Sequence, residues 1–255
     1  MLTAYFDETS TSPNQKVPVV AGYIASEFQW CRFGEQWNKL LYQFKIPVDP
    51  KHGIRIAHRS ELQHPWGTYK DWDDTKREEF LHKAQQIIRR HTKMPIGSAV
   101  GREDFESGAL KRMQRIMGGS YGWCAYTCLH QVKAYCDEIN HKQPVRYVFE
   151  MGATGWGPLS QLFKFLQKHQ KLREMYRAES ISFDTKRLRQ FQAADFLVYD
   201  LGHFFLDYKL ERQRAEVKRR LSSLLGSKTD HVVFWDKKTI IEHANMLRQW
   251  EHLPD

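Results

Sequence analysis

The chain has 255 residues, with 39 Lys and Arg against 30 Asp and Glu, a formal net charge of +9 and 41% hydrophobic residues. That apolar content excludes a mostly disordered chain, and 15 Gly with 9 Pro exclude a collagen-like or linker-dominated one. The longest uncharged run, 116–132, is broken by Gly118, Gly119, Ser120 and Gly122, which excludes a membrane span.

In chain order, Leu2–Phe6 and Val17–Ile24 predict two antiparallel strands joined through the turn-rich stretch Thr9–Gln15. Trp30, Phe33, Trp37, Leu40, Leu41 and Phe44 recur at helical spacing and predict a helix over 27–45, stopped by Pro47 and Pro50. Ile54–His58 reads as a short strand and 59–71 as a loop. Asp73 or Asp74 caps a helix over 75–91, Ile96–Val100 is a strand, and 103–140 reads as two helices split near Gly118 and Gly119. Val145–Phe149 and Ala178–Phe183 are strands that alternate with helices over Pro158–Arg173 and 187–207. A charged helix over 209–226, a strand at His231–Trp235 and a helix over 237–251 complete the chain. This alternation predicts a single α/β domain over 1–255, with a mixed sheet flanked by helices. It carries a helical insertion around 103–140 and a C-terminal helical extension over 209–255.

Three carboxylates stand out by position. Asp7 ends the first strand, Glu150 ends the strand YVFE, and Asp195 lies among Ala193, Ala194, Phe196, Leu197 and Val198. A carboxylate in such surroundings is costly to bury unless it is paired, hydrogen-bonded or metal-bound. Singly, each reads equally as a cap, a turn former or an ion-pair partner. Together they form an all-oxygen set of the kind that hard Mg²⁺ or Mn²⁺ prefers, and two such ions can activate water for phosphodiester cleavage.

The segments AYFDETS, VAGYIAS followed by FGEQWNKLL, AHRSEL, RYVFEMG and ISFDTKRLRQFQAADFLVYD appear in that order over residues 2 to about 205. In these the chain resembles the bacterial and phage domain-of-unknown-function 3800 family, grouped with the ribonuclease H-like superfamily. The family usually shows Asp-Glu-Ser-Gly at the start and Ala-Tyr-Glu at the end of the helix motif. This chain has DETS at 7–10 and VYD at 198–200. The resemblance implies a ribonuclease H-like fold and a metal-dependent nuclease site, with Asp7, Glu150 and Asp195 as ligands to Mg or Mn.

Around these acids, Glu8 points to the opposite strand face but reaches the site if the strand ends there, as a further metal ligand. Gln192 shares a helix face with Asp195 and orients it or a phosphate, or simply lies at a helix edge. His58, with Glu61 in AHRSEL, is a proton shuttle or an ordinary strand-end histidine. Asp184 reads as a helix cap before a fourth ligand, and Asp200 as a solvated or salt-bridged acid. Lys186, Arg187 and Arg189 stand near the motif and suit phosphate contacts, so nucleic acid, DNA or RNA, is the expected partner. The run 209–220 reads as a solvated face. Trp66, Tyr69 and Trp72 pin a loop to the core or stack on unpaired bases.

Cys124 and Cys128, with His130 and Cys136, read as buried thiols before a zinc site, and four cysteines do not suggest a disulfide framework. The acidic pair at 7 and 8, where a signal peptide needs basic and apolar stretches, predicts a cytoplasmic protein with no membrane association. The function expected is phosphodiester hydrolysis at a carboxylate-bound metal centre. The alternative is a non-catalytic nucleic-acid- or protein-binding module of a mobile-element or phage-defence system.

Overall fold

Apolar runs buried on both faces become the central strands of one sheet. A computed structural model describes residues 1–9, 15–63, 67–108, 111–150, 163–185, 187–212 and 214–247. Its sheet contains β1 (Leu2–Glu8), β2 (Val19–Ser26), β3 (Met94–Val100), β4 (Val145–Glu150), β5 (Ala178–Asp184) and β6 (Val232–Trp235), in the order β5-β4-β1-β2-β3-β6. β2 runs antiparallel to both β1 and β3, while β4 lies parallel to β1, β5 to β4 and β6 to β3. This is a mixed α/β sheet flanked by helices, consistent with a ribonuclease H-like arrangement. Seven of the eight residues of β2, VVAGYIAS, are buried, as a central strand covered on both sides requires. Gly22 is needed there because a Cβ would sit 1.7 Å from the Tyr5 carbonyl oxygen.

Helices cover both faces. On one, α6 (Ser120–Glu138) lies on β2 and β3 beside α4 (Arg102–Gly108), α5 (Lys111–Met117) and α11 (Lys237–Leu247). Phe6, Phe149 and Trp123 belong to the core beneath them. On the other, α1 (Glu27–Gln43), α3 (Asp74–His91), α9 (Gln190–Lys209) and α10 (Ala215–Leu225) enclose Trp37, Phe80, Phe196 and Leu224. α1 starts at a capping box between Ser26 and Gln29, and α3 at Asp73, whose carboxylate accepts from the Lys76 N–H at 2.7 Å; each satisfies a first-turn donor. The remaining helices are α2 (Arg59–Gln63), α7, described over 163–168, and α8 (Gln170–Met175).

Several sequence expectations are corrected. Ile54–His58 joins no strand, and its one bridge is Arg55 with Val48. Its polar groups bond instead to the Gln192 side chain. The expected loop 59–71 contains α2 and a 3₁₀ turn at Gly67–Tyr69. Where two helices are expected over 103–140, the described residues form three, α4, α5 and α6, and α6 packs on β2 and β3. The helix expected over 158–173 is interrupted at His169, and its Leu159 and Leu162 lie outside the described residues. The strand expected at His231–Trp235 is β6, and it extends the sheet beyond β3. The charged helix begins only at Ala215. Residues 10–14 of the first turn are also outside the described set.

Candidate functional site

Strand register brings the acids to one edge. Phe6 pairs with Phe149, and Phe149 with Phe183. One step further lie Asp7, next to last in β1, and Glu150 and Asp184, which end β4 and β5; the three strands are adjacent, with backbones spaced by about 4.8 Å. Phe6 and Phe149 stack at 5.0 Å in the core under α6, so the alternation of the pleat turns Asp7 and Glu150 to the other face, toward α9. Tyr5 confirms that direction, because its ring meets Trp30 and Phe191 edge-on at 5.1 and 5.6 Å. Burial raises the Tyr5 phenol, with Arg146 opposing and Asp184 reinforcing.

α9 supplies the third acid. Phe191 packs on Tyr5, and a Cβ at Gly202 would lie 3.0 Å from Thr9 Cγ2. The helix therefore runs alongside β1 in the same direction. Residues 191, 195, 198 and 202 form one stripe of helical spacing, and Asp195 falls on it between the levels of Tyr5 and Thr9, the interval that contains Asp7. Asp7 is buried, and its Oδ1 accepts the Glu8 N–H at 2.7 Å. Glu8 and Glu150 are half-buried, and the Glu8 side chain belongs to the opposite pleat face.

Asp195 is oriented from α2. Its Oδ2 accepts the Arg59 N–H at 2.7 Å, one of the unpaired amides of that helix's first turn. The Arg59 side chain, wholly buried, turns back to Asp200, with Nη2 to Oδ1 at 2.9 Å, and its guanidinium lies over the Tyr199 ring at 4.9 Å. Burial pushes the Asp200 carboxyl up while Arg59 pulls it down. Asp200 is thus ion-paired and buried rather than solvated.

Gln192 is fixed as tightly. Its Oε1 accepts from Trp37 Nε1 at 2.8 Å and from the Ala57 N–H at 2.9 Å, and its Nε2 donates to the Arg55 carbonyl at 3.3 Å. These bonds hold α1, the 46–58 strap and α9 together and occupy both ends of the Gln192 amide. His58 immediately precedes Arg59, is half-buried, and its carbonyl accepts the Leu62 N–H. Glu61 belongs to the same neighbourhood, since the buried Tyr69 phenol is raised first by desolvation and then by Glu61 and Asp195 together.

The remaining expectations divide. Asp184 does not cap α9, whose N-cap is Arg189; its Oδ1 accepts the Thr185 N–H at 2.7 Å. Arg187 is exposed, while Arg189 is held by Asn38 at 2.6 Å. Lys186 and Trp66 lie outside the described residues. Tyr69 and Trp72 meet edge-on at 4.9 Å beside Phe80, which makes them core pins. Cys124, Cys128 and Cys136 are buried free thiols, and burial pushes Cys124 up to about 12 and Cys136 to about 11, as inert structural thiols require.

Sequence reasoning missed Arg59 and Trp37 as neighbours of the site. Charge is a poor guide to a buried arginine, because arginine is mostly exposed.

Asp7, Glu150 and Asp195 offer oxygen donors of the kind Mg²⁺ and Mn²⁺ take. Among the described residues, however, no three His, Cys, Asp or Glu side chains stand close enough together to hold a metal ion. The acids are neighbours by strand register and by helix level, with no closed ligand set among the described side chains. Among the same residues, no helix is long and apolar enough to cross a membrane. Comparison with protein-family models and with curated proteins finds no match to this chain.

Proposed function

We propose that the protein is a metal-dependent nuclease that hydrolyses phosphodiester bonds in the cytoplasm, with Asp7, Glu150 and Asp195 as ligands to Mg²⁺ or Mn²⁺. The observation that carries this reading is the strand register that sets Asp7 beside Glu150 on the face toward α9. The donor types fit a hard divalent ion. The chemistry such an ion supplies is activation of water and neutralisation of charge on the phosphoryl oxygens.

The chain's own residues orient the rest. The Arg59 N–H holds one Asp195 oxygen. Gln192 locks α9 against α1 and the strap, which fixes the level of Asp195 relative to β1. His58, next to Arg59, is the candidate proton carrier for the leaving oxygen. Arg187, exposed just before α9, suits a substrate phosphate. Glu8 is assigned a lesser part because its side chain starts from the opposite pleat face.

The test is cleavage of labelled DNA, RNA and hybrid duplex with Mn²⁺, comparing wild type with Asp7→Asn. The proposal expects cleavage of at least one substrate by wild type and none by Asp7→Asn, with the thermal melt of the variant unchanged or raised, because removing one of several crowded charges relieves repulsion. Equal cleavage by both proteins, or none by wild type, rejects it.

One observation favours a second reading. The described side chains close no three-acid group, as expected of a non-catalytic nucleic-acid- or protein-binding module of a mobile-element or phage-defence system. That reading predicts salt-sensitive nucleic-acid binding with no response of the melt to Mn²⁺.

A further inference from the structure

One residue, Arg59, holds two acids of the same helix. Asp195 and Asp200 both lie on α9, separated by about 7.5 Å along its axis. The Arg59 backbone N–H donates to Asp195 Oδ2 at 2.7 Å. Its guanidinium donates to Asp200, from Nη2 to Oδ1 at 2.9 Å and from Nε to Oδ2 at 3.4 Å. The start of α2 is therefore fastened to α9 at two levels, by main chain at one acid and by side chain at the other.

α2 depends on such fastening. It has five residues, and helices shorter than about 12–15 residues are marginal alone in water, so its place is set by what holds it. At its far end Arg220 Nη1 donates to Gln63 Oε1 and ties it to α10, and Leu62 is buried in the core on that side of the sheet. At the end that meets Asp195, the anchor is the Arg59 side chain, 0% exposed and paired with Asp200, with its guanidinium over the Tyr199 ring.

Stability alone does not account for this pair. Two charges taken out of water lose hydration that their attraction barely returns, and apolar residues of similar volume often serve a core as well. Arg59 Nη1 is also buried with no hydrogen-bond partner among the described residues, which adds to the cost. What an ion pair supplies and an apolar contact does not is direction. A guanidinium meets a carboxylate in a fixed orientation, and the backbone of the same residue then meets Asp195 in a fixed place.

We infer that the Arg59–Asp200 ion pair is a positioning device for the metal site: it fixes the start of α2 against α9, and with it the amide that orients the Asp195 carboxylate. The inference rests on the proposed reading of Asp7, Glu150 and Asp195 as metal ligands, and it adds Arg59 and Asp200 as positioning residues that act through Asp195. Groups that orient a ligand in this way change metal affinity by about 10- to 100-fold when removed.

Wild type is compared with Arg59→Met/Asp200→Leu, which removes both charges, and with Arg59→Lys, which keeps a cation for Asp200 but not the planar fork. Each protein is held well below its melt. Mn²⁺ binding is titrated by electron paramagnetic resonance, and hydrogen exchange of the backbone amide at position 59 is followed by NMR. The double variant is expected to melt near wild type and yet to bind Mn²⁺ about tenfold more weakly. Its amide at position 59 exchanges about tenfold faster, while amides inside α9 keep their rates. Arg59→Lys falls between the two proteins on both readings, and it decides the matter alone if the double variant has no cooperative melt. A pair that merely fills the core moves neither reading once the melt is restored. Wild-type Mn²⁺ affinity in the variants overturns the inference and leaves the metal reading standing. Weaker Mn²⁺ binding with unchanged amide exchange overturns it too, because the charges would then act on the ion through their field and not through Asp195. Absence of Mn²⁺ binding by wild type overturns the metal reading, and the inference with it.

Discussion

The Trp37 indole N–H and the Gln192 side-chain oxygen meet at 2.8 Å across 155 residues of sequence. The same oxygen takes the Ala57 amide at 2.9 Å, so one buried amide joins α1, the strap after it and α9. Gln192→Leu keeps much of the volume and strands both donors. Each buried unsatisfied group costs about 1–3 kcal/mol, so the variant is expected to lose roughly 2–4 kcal/mol in urea unfolding. A loss below about 1 kcal/mol would show that the strap relaxes and finds other partners.

The buried pair of Arg59 and Asp200 makes a sharper prediction, because its members are 0% and 4% exposed. Asp200→Ala leaves the guanidinium buried without its carboxylate, a change that costs about 3–5 kcal/mol. The double variant Arg59→Met/Asp200→Leu removes both charges and is expected to recover most of that loss, since replacing a whole buried pair with apolar groups is often neutral. Equal destabilisation of the single and double variants would mean that the pair contributes through shape alone.

His130 gives the fold a pH dependence. Its Nε2 lies 2.7 Å from both the Tyr126 and Tyr176 hydroxyls. Burial, reinforced by His243 and Lys133, lowers its pKa from 6.5 to about 3. The unfolded chain binds a proton below 6.5 that the folded chain refuses until about 3. The contribution to stability is therefore intact above 6.5 and is lost as pH falls through that window, at about 1.4 kcal/mol per pH unit for one proton. His130→Phe is expected to flatten the decline in urea midpoint between about pH 6 and about pH 4. A variant with the wild-type slope would assign the titration to other groups, His243 first among them, since burial lowers it too.

Where local pattern decided the outcome, the sequence was readable. β1 and β4 are apolar runs closed by an acid, so Asp7 and Glu150 were identifiable as strand-end carboxylates from spacing alone, and register then made them neighbours. Ile54–His58 misled for the same reason: its apolar alternation suits a strand, but its backbone groups are taken by a glutamine side chain far along the chain. Arg59 and Asp200 were not legible as a pair, because 141 residues separate them and neither carries a local signal of burial. Asp195 showed itself by its apolar neighbours. What held its carboxylate, a backbone amide of a five-residue helix read as loop, did not.

The central claim is that Asp7, Glu150 and Asp195 share a divalent cation, and electron paramagnetic resonance of Mn²⁺ titrated into the intact protein tests it most directly. The account predicts saturable loss of the free Mn²⁺ signal with wild type and marked weakening in each of Asp7→Asn, Glu150→Gln and Asp195→Asn. An unchanged free-ion signal with wild type, or binding that survives all three substitutions, would contradict it.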